Sequence, residues 1–166
     1  MEVAGIPILT FVAFILTIVA FVVDLIGFAA PYWFYFELRG NTYNGGIWKE
    51  CATLASTTTC TDYVDSPTLA TWFEAVQAME VLGFLCLLAA LVVVILKLFV
   101  IKDKAILKWV IVGCLAAAAA FILIGVCVYG GKGLTLYTDN LHFAFAFVII
   151  GALLAIIAAI LFCLEK

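Results

Sequence analysis

The sequence predicts an all-α membrane protein: a left-handed bundle of four transmembrane helices with a small, disulfide-stapled antiparallel β-sheet in its first extracellular loop. Three observations support this fold class. Of the 166 residues, 68% are hydrophobic, and the mean hydropathy is +1.31, whereas globular proteins are roughly 45 to 50% apolar. Four apolar segments are long enough to cross a bilayer. A long connection that contains two cysteines separates the first two segments.

Each of these segments reaches the roughly 20 apolar residues that a hydrocarbon core of about 30 Å requires. The first is longer than the apolar region of a signal peptide, and no Lys or Arg precedes it, so we expect a retained helix. We expect one four-span domain with extracellular loops at residues 31–72 and 130–140 and a cytoplasmic loop at 101–108. The spans are predicted at residues 6–30, 73–100, 109–129 and 141–164.

The distribution of basic residues predicts the orientation. Five lysines lie at the chain end or around the short connection between the second and third spans, against three basic residues in the two other connections. Because cytoplasmic segments carry the excess of Lys and Arg, we expect both termini to lie in the cytoplasm. The expected location is the plasma membrane. The first group is Lys97, Lys102, Lys104, Lys108 and Lys166, and the second is Arg39, Lys49 and Lys132.

The cysteine positions predict one disulfide. Cys51 and Cys60 are the two cysteines of the first extracellular loop, where the compartment oxidises thiols, so we predict a bond between them. The other four cysteines lie in spans, where a thiol packs as a small apolar group. One of them, Cys163, is also a candidate for acylation at the cytoplasmic edge. A metal site is not expected, because His142 is the single histidine and lies far along the chain.

The first loop also has residues typical of short strands. Residues 32–36 are rich in aromatic side chains, and two further strands are expected at residues 47–54 and 57–63, joined by the disulfide. The Asn-Gly-Gly run at residues 44–46 is predicted to form a turn. This gives a sheet of two or three strands, which is marginally stable on its own in water.

Two tryptophans offer a way to hold this small sheet. Trp33 follows the first span, and Trp48 lies between the predicted turn and Cys51. One hypothesis is that both rings anchor the loop at the membrane interface. The other is that Trp48 inserts into the outer end of the helix bundle.

Two carboxylates lie inside predicted spans, Asp24 in the first and Glu80 in the second. A charge at the bilayer centre costs a few kcal/mol, so such groups face the bundle or a wet cavity. One hypothesis is a path for protons or ions. The alternative is a buried polar contact near the outer interface that includes His142.

The first-loop motif resembles that of the claudin, peripheral myelin protein and epithelial membrane protein superfamily. Its signature is a Trp, a Gly-Leu-Trp run, here with Ile47 in place of Leu, and two Cys. Residues 75–82 and 143–147 look like the peripheral myelin and epithelial membrane protein branch, at the openings of its second and fourth spans. The signature positions in this sequence are Trp33, Gly46, Trp48, Cys51 and Cys60.

The resemblance implies a non-enzymatic protein of cell–cell or membrane–membrane adhesion and junction organisation, which acts through its extracellular loops and lateral self-assembly at cell contacts. Relatives also serve as auxiliary subunits of channels or receptors, or form paracellular barriers and pores, and these alternatives stay open. The residues themselves contain no catalytic constellation and imply no cofactor. The scattered basic residues form no face for nucleic acid.

The expected partners are the lipid bilayer and either further copies of the chain or another membrane protein. The second extracellular loop is glycine-rich, and the alternation over residues 134–137 predicts an extended tip that adds to a contact surface. The alternative for this loop is an ordinary interfacial turn. The candidate partner contacts are Tyr35, Glu37, Arg39, Leu134, Leu136 and Tyr137.

Overall fold

The computed structural model describes residues 2–3, 6–63, 69–101, 105–133 and 135–165. Among these residues, four helices are long and apolar enough to cross a membrane, and with the sheet described below they confirm the predicted fold class. A helix of one turn, α4 (Thr135–Thr138), lies between the third and fourth of them. The long helices are α1 (Ile8–Ala29), α2 (Thr71–Phe99), α3 (Ala105–Lys132) and α5 (Phe143–Leu164).

Two helices extend beyond the apolar segments from which the spans were predicted. Helix α2 begins at Thr71, and helix α3 continues to Lys132, three residues past the predicted end. The backbone hydrogen bonding of a helix does not stop where the side chains become polar. A terminal Lys can direct its ammonium group towards water while its methylene groups remain on the apolar surface.

Close packing of the helices depends on small residues. Helix α1 packs along α5, α2 along α3, and α3 along α5. A Cβ atom on Gly27 of α1 would lie 2.7 Å from the carbonyl oxygen of Ala144 in α5, and one on Gly151 would lie 3.2 Å from that of Ala20. In lipid, where no hydrophobic force drives helices together, such close approach supplies much of the association energy.

The contact between α1 and α2 is aromatic on the side of the bundle that carries the sheet. Phe84 of α2 stacks between Phe21 and Phe28 of α1, with ring centroids 5.3 Å and 5.0 Å apart. This stack continues to Trp48 of the first loop, whose ring lies edge-on to Phe28 at 5.1 Å. The aromatic contacts therefore join the bundle to the loop between α1 and α2.

The first loop forms a four-stranded antiparallel sheet, which has more strands than the two or three that were predicted. The strands follow one another in chain order, so each pairs with its neighbours in sequence. A separate two-stranded hairpin, β1 (Glu2–Val3) and β2 (Ile6–Pro7), precedes α1. The strands of the main sheet are β3 (Phe34–Leu38), β4 (Asn41–Gly45), β5 (Lys49–Leu54) and β6 (Thr57–Asp62).

The turn predicted at residues 44–46 was wrong, because Asn44 and Gly45 belong to strand β4. The two-residue turns lie instead at residues 39–40 and 55–56, and all four residues have positive φ, between 46° and 78°. This backbone geometry suits the tight hairpin turns whose twist matches that of the flanking strands. The remaining connection, residues 46–48, is held against the helix bundle.

The two edges of the sheet differ. At the β3 edge, Phe34 forms a bridge with Leu141, and the Tyr35 amide donates to the Asn140 carbonyl at 3.0 Å. The sheet is thereby joined to the start of α5. Strand β6 forms the opposite edge and is exposed along its whole length.

The second loop, between α3 and α5, does not form the extended tip expected over residues 134–137. Residues 135–138 form the helical turn α4, and Leu134 lies outside the described part of the chain. Tyr137 in this turn stacks on Phe34 of β3 with ring centroids 4.4 Å apart. This stacking favours a compact turn over an extended segment, because it requires the Tyr137 ring to lie against strand β3.

Candidate functional site: the sheet docked on the bundle

Both tryptophans of the motif donate hydrogen bonds to the end of helix α1. The Trp33 indole nitrogen lies 2.9 Å from the Gly27 carbonyl oxygen, and the Trp48 indole nitrogen lies 2.9 Å from the Phe28 carbonyl oxygen. The last carbonyls of a helix have no partner within the helix. The indole groups supply those partners, and Trp33 is completely buried in doing so.

Trp48 belongs to the short connection between β4 and β5, residues 46–48, which packs against the sheet end of the bundle. Gly46 lies so close to α1 that a Cβ atom there would be 2.5 Å from the Ala30 carbonyl oxygen. The next residue, Ile47, is fully buried, and its carbonyl oxygen accepts a hydrogen bond of 2.6 Å from the Gln77 side chain of α2. Residues 46–48 are thus attached to both of the helices that flank the loop.

A further hydrogen bond ties the sheet to the segment after α1. The Asn44 side-chain amide of strand β4 donates to the Pro31 carbonyl oxygen at 2.8 Å. Together with Trp33, Trp48 and Gln77, it gives four side-chain hydrogen bonds between the first loop and the helices or their ends. The sheet is therefore positioned rigidly with respect to the membrane-spanning bundle.

The predicted disulfide is confirmed. Cys51 and Cys60 are directly opposite each other in the pairing of β5 with β6, and their sulfur atoms are bonded. The bond closes the hairpin whose outer strand is the exposed edge of the sheet. It therefore holds β6 in place, because β5 is the one strand that pairs with β6 in the described part of the chain.

One face of the sheet lines a cleft of about 490 Å³, which we call the sheet cleft. Its aromatic wall is formed by stacked rings of β3, β4 and the second loop, with centroid separations of 4.4 to 5.9 Å. Glu50 and two threonines, Thr59 and Thr61, lie on the neighbouring strands. The aromatic wall consists of Phe34, Phe36, Tyr43 and Tyr137.

The structure divides the candidate partner contacts among three places. Tyr35 and Glu37 lie together, with the Tyr35 hydroxyl donating to a Glu37 carboxylate oxygen at 3.0 Å, and this hydrogen bond raises the pKa of Tyr35. Arg39 is exposed at the β3–β4 turn. Tyr137 is in the wall of the sheet cleft. Leu134 and the side chain of Leu136 lie outside the described part of the chain.

The intramembrane carboxylates are buried without a hydrogen-bond partner in the described part of the chain. Asp24 and Glu80 are each 1% exposed. Glu80 lies beside Gly125 of α3, and Asp24 lies beside Gly151 of α5. His142 is not brought to them, because it is exposed at the start of α5 and its ring packs on nearby aromatic side chains, Tyr32, Tyr35 and Phe143.

At the opposite end of the bundle, Glu165 connects three helices, a contact that the sequence reasoning missed. The Lys97 ammonium of α2 forms an ion pair with the Glu165 carboxylate at 2.6 Å. The Lys108 ammonium of α3 donates to the Glu165 backbone carbonyl. An acidic residue just after the fourth span, together with lysines at the ends of the second and third spans, was the available signal, but the residues are 57 and 68 positions apart.

Four membrane-spanning helices and a disulfide-closed sheet that caps the first of them define a tetraspan integral membrane protein. The arrangement also explains why the two tryptophans, the Gly between them and the two cysteines occur together. The chain belongs to the PMP-22/EMP/MP20/Claudin family, whose family model matches residues 6–164. This confirms the superfamily that the motif indicated. No individual curated protein matches the chain.

Proposed function

We propose that the protein is a non-enzymatic structural protein of the plasma membrane that joins cells or membranes through the sheet end of its bundle and assembles laterally with further copies. In this proposal the sheet end faces outward and both termini are cytoplasmic. The supporting observation is the rigid attachment of the sheet to α1 and α2 through Trp33, Trp48 and Gln77. A fixed platform loses little conformational entropy when it binds a partner.

The surface of this platform is available for contact. Strand β6 and the turn at Arg39 and Gly40 are exposed. An exposed strand edge can pair with another chain, and the threonine-rich sequence of β6 makes it polar. The family supports a role in membranes, and the residues and contacts described above contain nothing arranged as a catalytic site.

The proposal is tested by expressing the protein in cells that do not aggregate. Cells that display it are expected to cluster with one another, and crosslinking in mild detergent is expected to trap oligomers. An antibody epitope inserted at residues 39–40 should be accessible on intact cells, whereas one at the chain end should not. A protein that stays monomeric and never accumulates at cell contacts would contradict the proposal.

A second function, that of an auxiliary subunit for a channel or receptor, is favoured by a groove between α2 and α3. The groove has a volume of about 730 Å³, and its walls are almost entirely apolar, with Trp72, Ile124 and Cys127 among them. The groove is open along the surface of the two helices, so a helix of a partner can pack there. Stoichiometric copurification of a channel or receptor, lost in Ile124→Trp, would support this function. Gly113→Ala, which alters an open position on α3 outside this groove, is the matched control.

A further inference from the structure

We infer that the sheet cleft binds the guanidinium group of Arg39 from a facing copy of this chain. This inference rests on the proposed adhesive function and names the contact through which it operates. The two residues in this contact are Arg39, at the β3–β4 turn, and Glu50, on the face of the sheet that lines the cleft.

The chemistry of the sheet cleft suits a guanidinium group. Among the described residues that line it, Glu50 is the one with a charged side chain. A second cavity of about 200 Å³ shares Phe34, Glu50 and Tyr137 with the cleft, and its described lining adds Asp62 and no cation. A guanidinium group stacks on aromatic rings and forms paired hydrogen bonds with a carboxylate. The cleft offers both partners within one concave surface.

The Glu50 carboxylate is open to an incoming cation. Its cross-strand neighbour on β4 is Gly45, which has no side chain to cover it. In the described part of the chain, no Lys or Arg forms an ion pair with Glu50. The Tyr63 hydroxyl donates to the Glu50 Oε2 atom over 3.4 Å, a long contact that leaves the other carboxylate oxygen available.

Arg39 is the cation best placed to enter such a cleft. It lies at the β3–β4 turn with a φ of 52°, and it is exposed. The other basic residues of the sheet end differ from it, because Lys49 is half-buried opposite Asp62 and Lys132 lies in the last turn of α3. Within the described residues, no carboxylate forms an ion pair with Arg39.

The contact must be made between copies. Glu50 pairs with Gly45, which pairs with Phe34, and Arg39 follows five residues after Phe34. Five residues of extended strand span about 17 Å, which is beyond the reach of one arginine side chain. Two facing copies related by a twofold axis can exchange the contact, so that each tip enters the cleft of the other.

Exchange of the two charges tests this inference. Two populations of cells express Arg39→Glu and Glu50→Arg, and a third expresses both changes in one chain. Each single variant is expected to lose clustering with its own kind, down to the level of cells without the protein. Mixing the two populations restores both contacts and should restore clustering, and the double variant should cluster with itself. Glu74→Arg makes the same charge change at an exposed position in the first turn of α2, outside the lining of the sheet cleft, and is expected to cluster like the wild type.

Each outcome distinguishes the inference from the proposed function. Surface labelling and retention of the Cys51–Cys60 bond establish that the variants are folded. If the wild type clusters but the mixed populations do not recover, the Arg39–Glu50 contact is overturned and the adhesive function stands. If Glu50→Arg loses clustering but Arg39→Glu does not, the Arg39–Glu50 contact is overturned. The cleft would then bind a cation of another protein. Wild-type cells that never cluster would overturn both proposals.

Discussion

The Trp33 indole nitrogen donates to the Gly27 carbonyl oxygen at 2.9 Å, and this bond replaces one that the backbone cannot make. In a continuing helix the Gly27 carbonyl would accept from the amide of residue 31. That residue is Pro31, which has no amide hydrogen. The preceding carbonyl, of Ile26, is still satisfied by the Ala30 amide at 2.9 Å. The proline therefore creates the unpaired carbonyl that the tryptophan satisfies.

Trp33→Phe is expected to lower the free energy of unfolding by about 1–3 kcal/mol, the usual cost of an unsatisfied buried carbonyl. Phenylalanine keeps an aromatic ring beside Tyr129 and Phe145 but cannot donate to Gly27. Thermal unfolding in detergent measures the effect. Trp109→Phe is the matched control, because Trp109 is 63% exposed and its loss should change the melting temperature little. Equal effects of the two changes would contradict the capping role.

Gly27→Ala is expected to destabilise the packing of α1 on α5 by about 1–3 kcal/mol, the typical cost of inserting a methyl group into a packed interface. The added Cβ atom would meet backbone atoms, the Ala144 carbonyl oxygen at 2.7 Å and the Val148 amide nitrogen at 2.9 Å. Backbone cannot rotate away, so a helix must shift. Gly113→Ala meets no atom within 4 Å and should be neutral or slightly stabilising, since alanine is the better helix former. Thermal unfolding of both variants checks this difference, which a similar loss of stability in both would refute.

Removal of the disulfide by Cys51→Ser together with Cys60→Ser is expected to cost about 2–4 kcal/mol. The bond restrains β6, which pairs on one side only among the residues that the structure describes. Hydrogen exchange should therefore rise most in Thr57–Asp62 and much less in β3. Cys127→Ser, at an exposed free cysteine of α3, serves as the control. Unchanged exchange in β6 would mean that pairing with β5 alone holds the edge strand.

Alkaline titration is expected to reveal a resistant phenol at Tyr63. Burial, with the nearby negative charge of Glu50 as a second cause, raises the pKa of Tyr63 above its ordinary value of 10.0. The unfolded chain releases this proton first, so the contribution to stability is constant below about pH 10 and is lost as the pH rises further. Tyrosinate absorbance of the wild type minus that of Tyr63→Phe isolates the group. Glu50→Gln should lower this pKa, and a folded protein in which Tyr63 titrates at its ordinary pKa would contradict the prediction.

Hydropathy predicted the helices well because the solvent of this fold is lipid, and the long apolar runs report directly on it. Residues 6–30 were expected to span the membrane, and α1 occupies Ile8–Ala29. The disulfide followed similarly from the two cysteines outside the spans. These features depend on short stretches of sequence or on composition, so no knowledge of the tertiary structure was needed.

Strand β4 was missed because its sequence, Asn-Thr-Tyr-Asn-Gly, has the composition of a turn. It is a strand because β3 and β5 supply hydrogen bonds on both sides. Gly45 serves packing here, since a Cβ atom would lie 2.6 Å from the Phe34 ring. The turn at Ala55 and Ser56 gave no signal, because neither residue is typical of a left-handed conformation.

The hydrogen bonds that attach the sheet to the helices could not be predicted from the sequence. Gln77 and the Ile47 carbonyl are 30 residues apart, and Trp48 and the Phe28 carbonyl are 20 apart. Every residue has a backbone carbonyl, so the sequence does not indicate which carbonyl will accept a hydrogen bond from a side chain. That pairing is known only from the folded structure. The motif could be recognised from its residue types, whereas its capping role required the geometry.

Attachment of residues 46–48 to both α1 and α2 makes docking of the sheet depend on the order of synthesis. The indole bonds to the Gly27 and Phe28 carbonyls need α1 alone, whereas Ile47 obtains its hydrogen bond only after Gln77 has entered α2. Trp33 stays uncovered for longer, because the rings that pack on it belong to Tyr129 of α3 and Phe145 of α5. A quality-control factor that recognises this uncovered ring would detect chains whose last two helices have not yet been integrated.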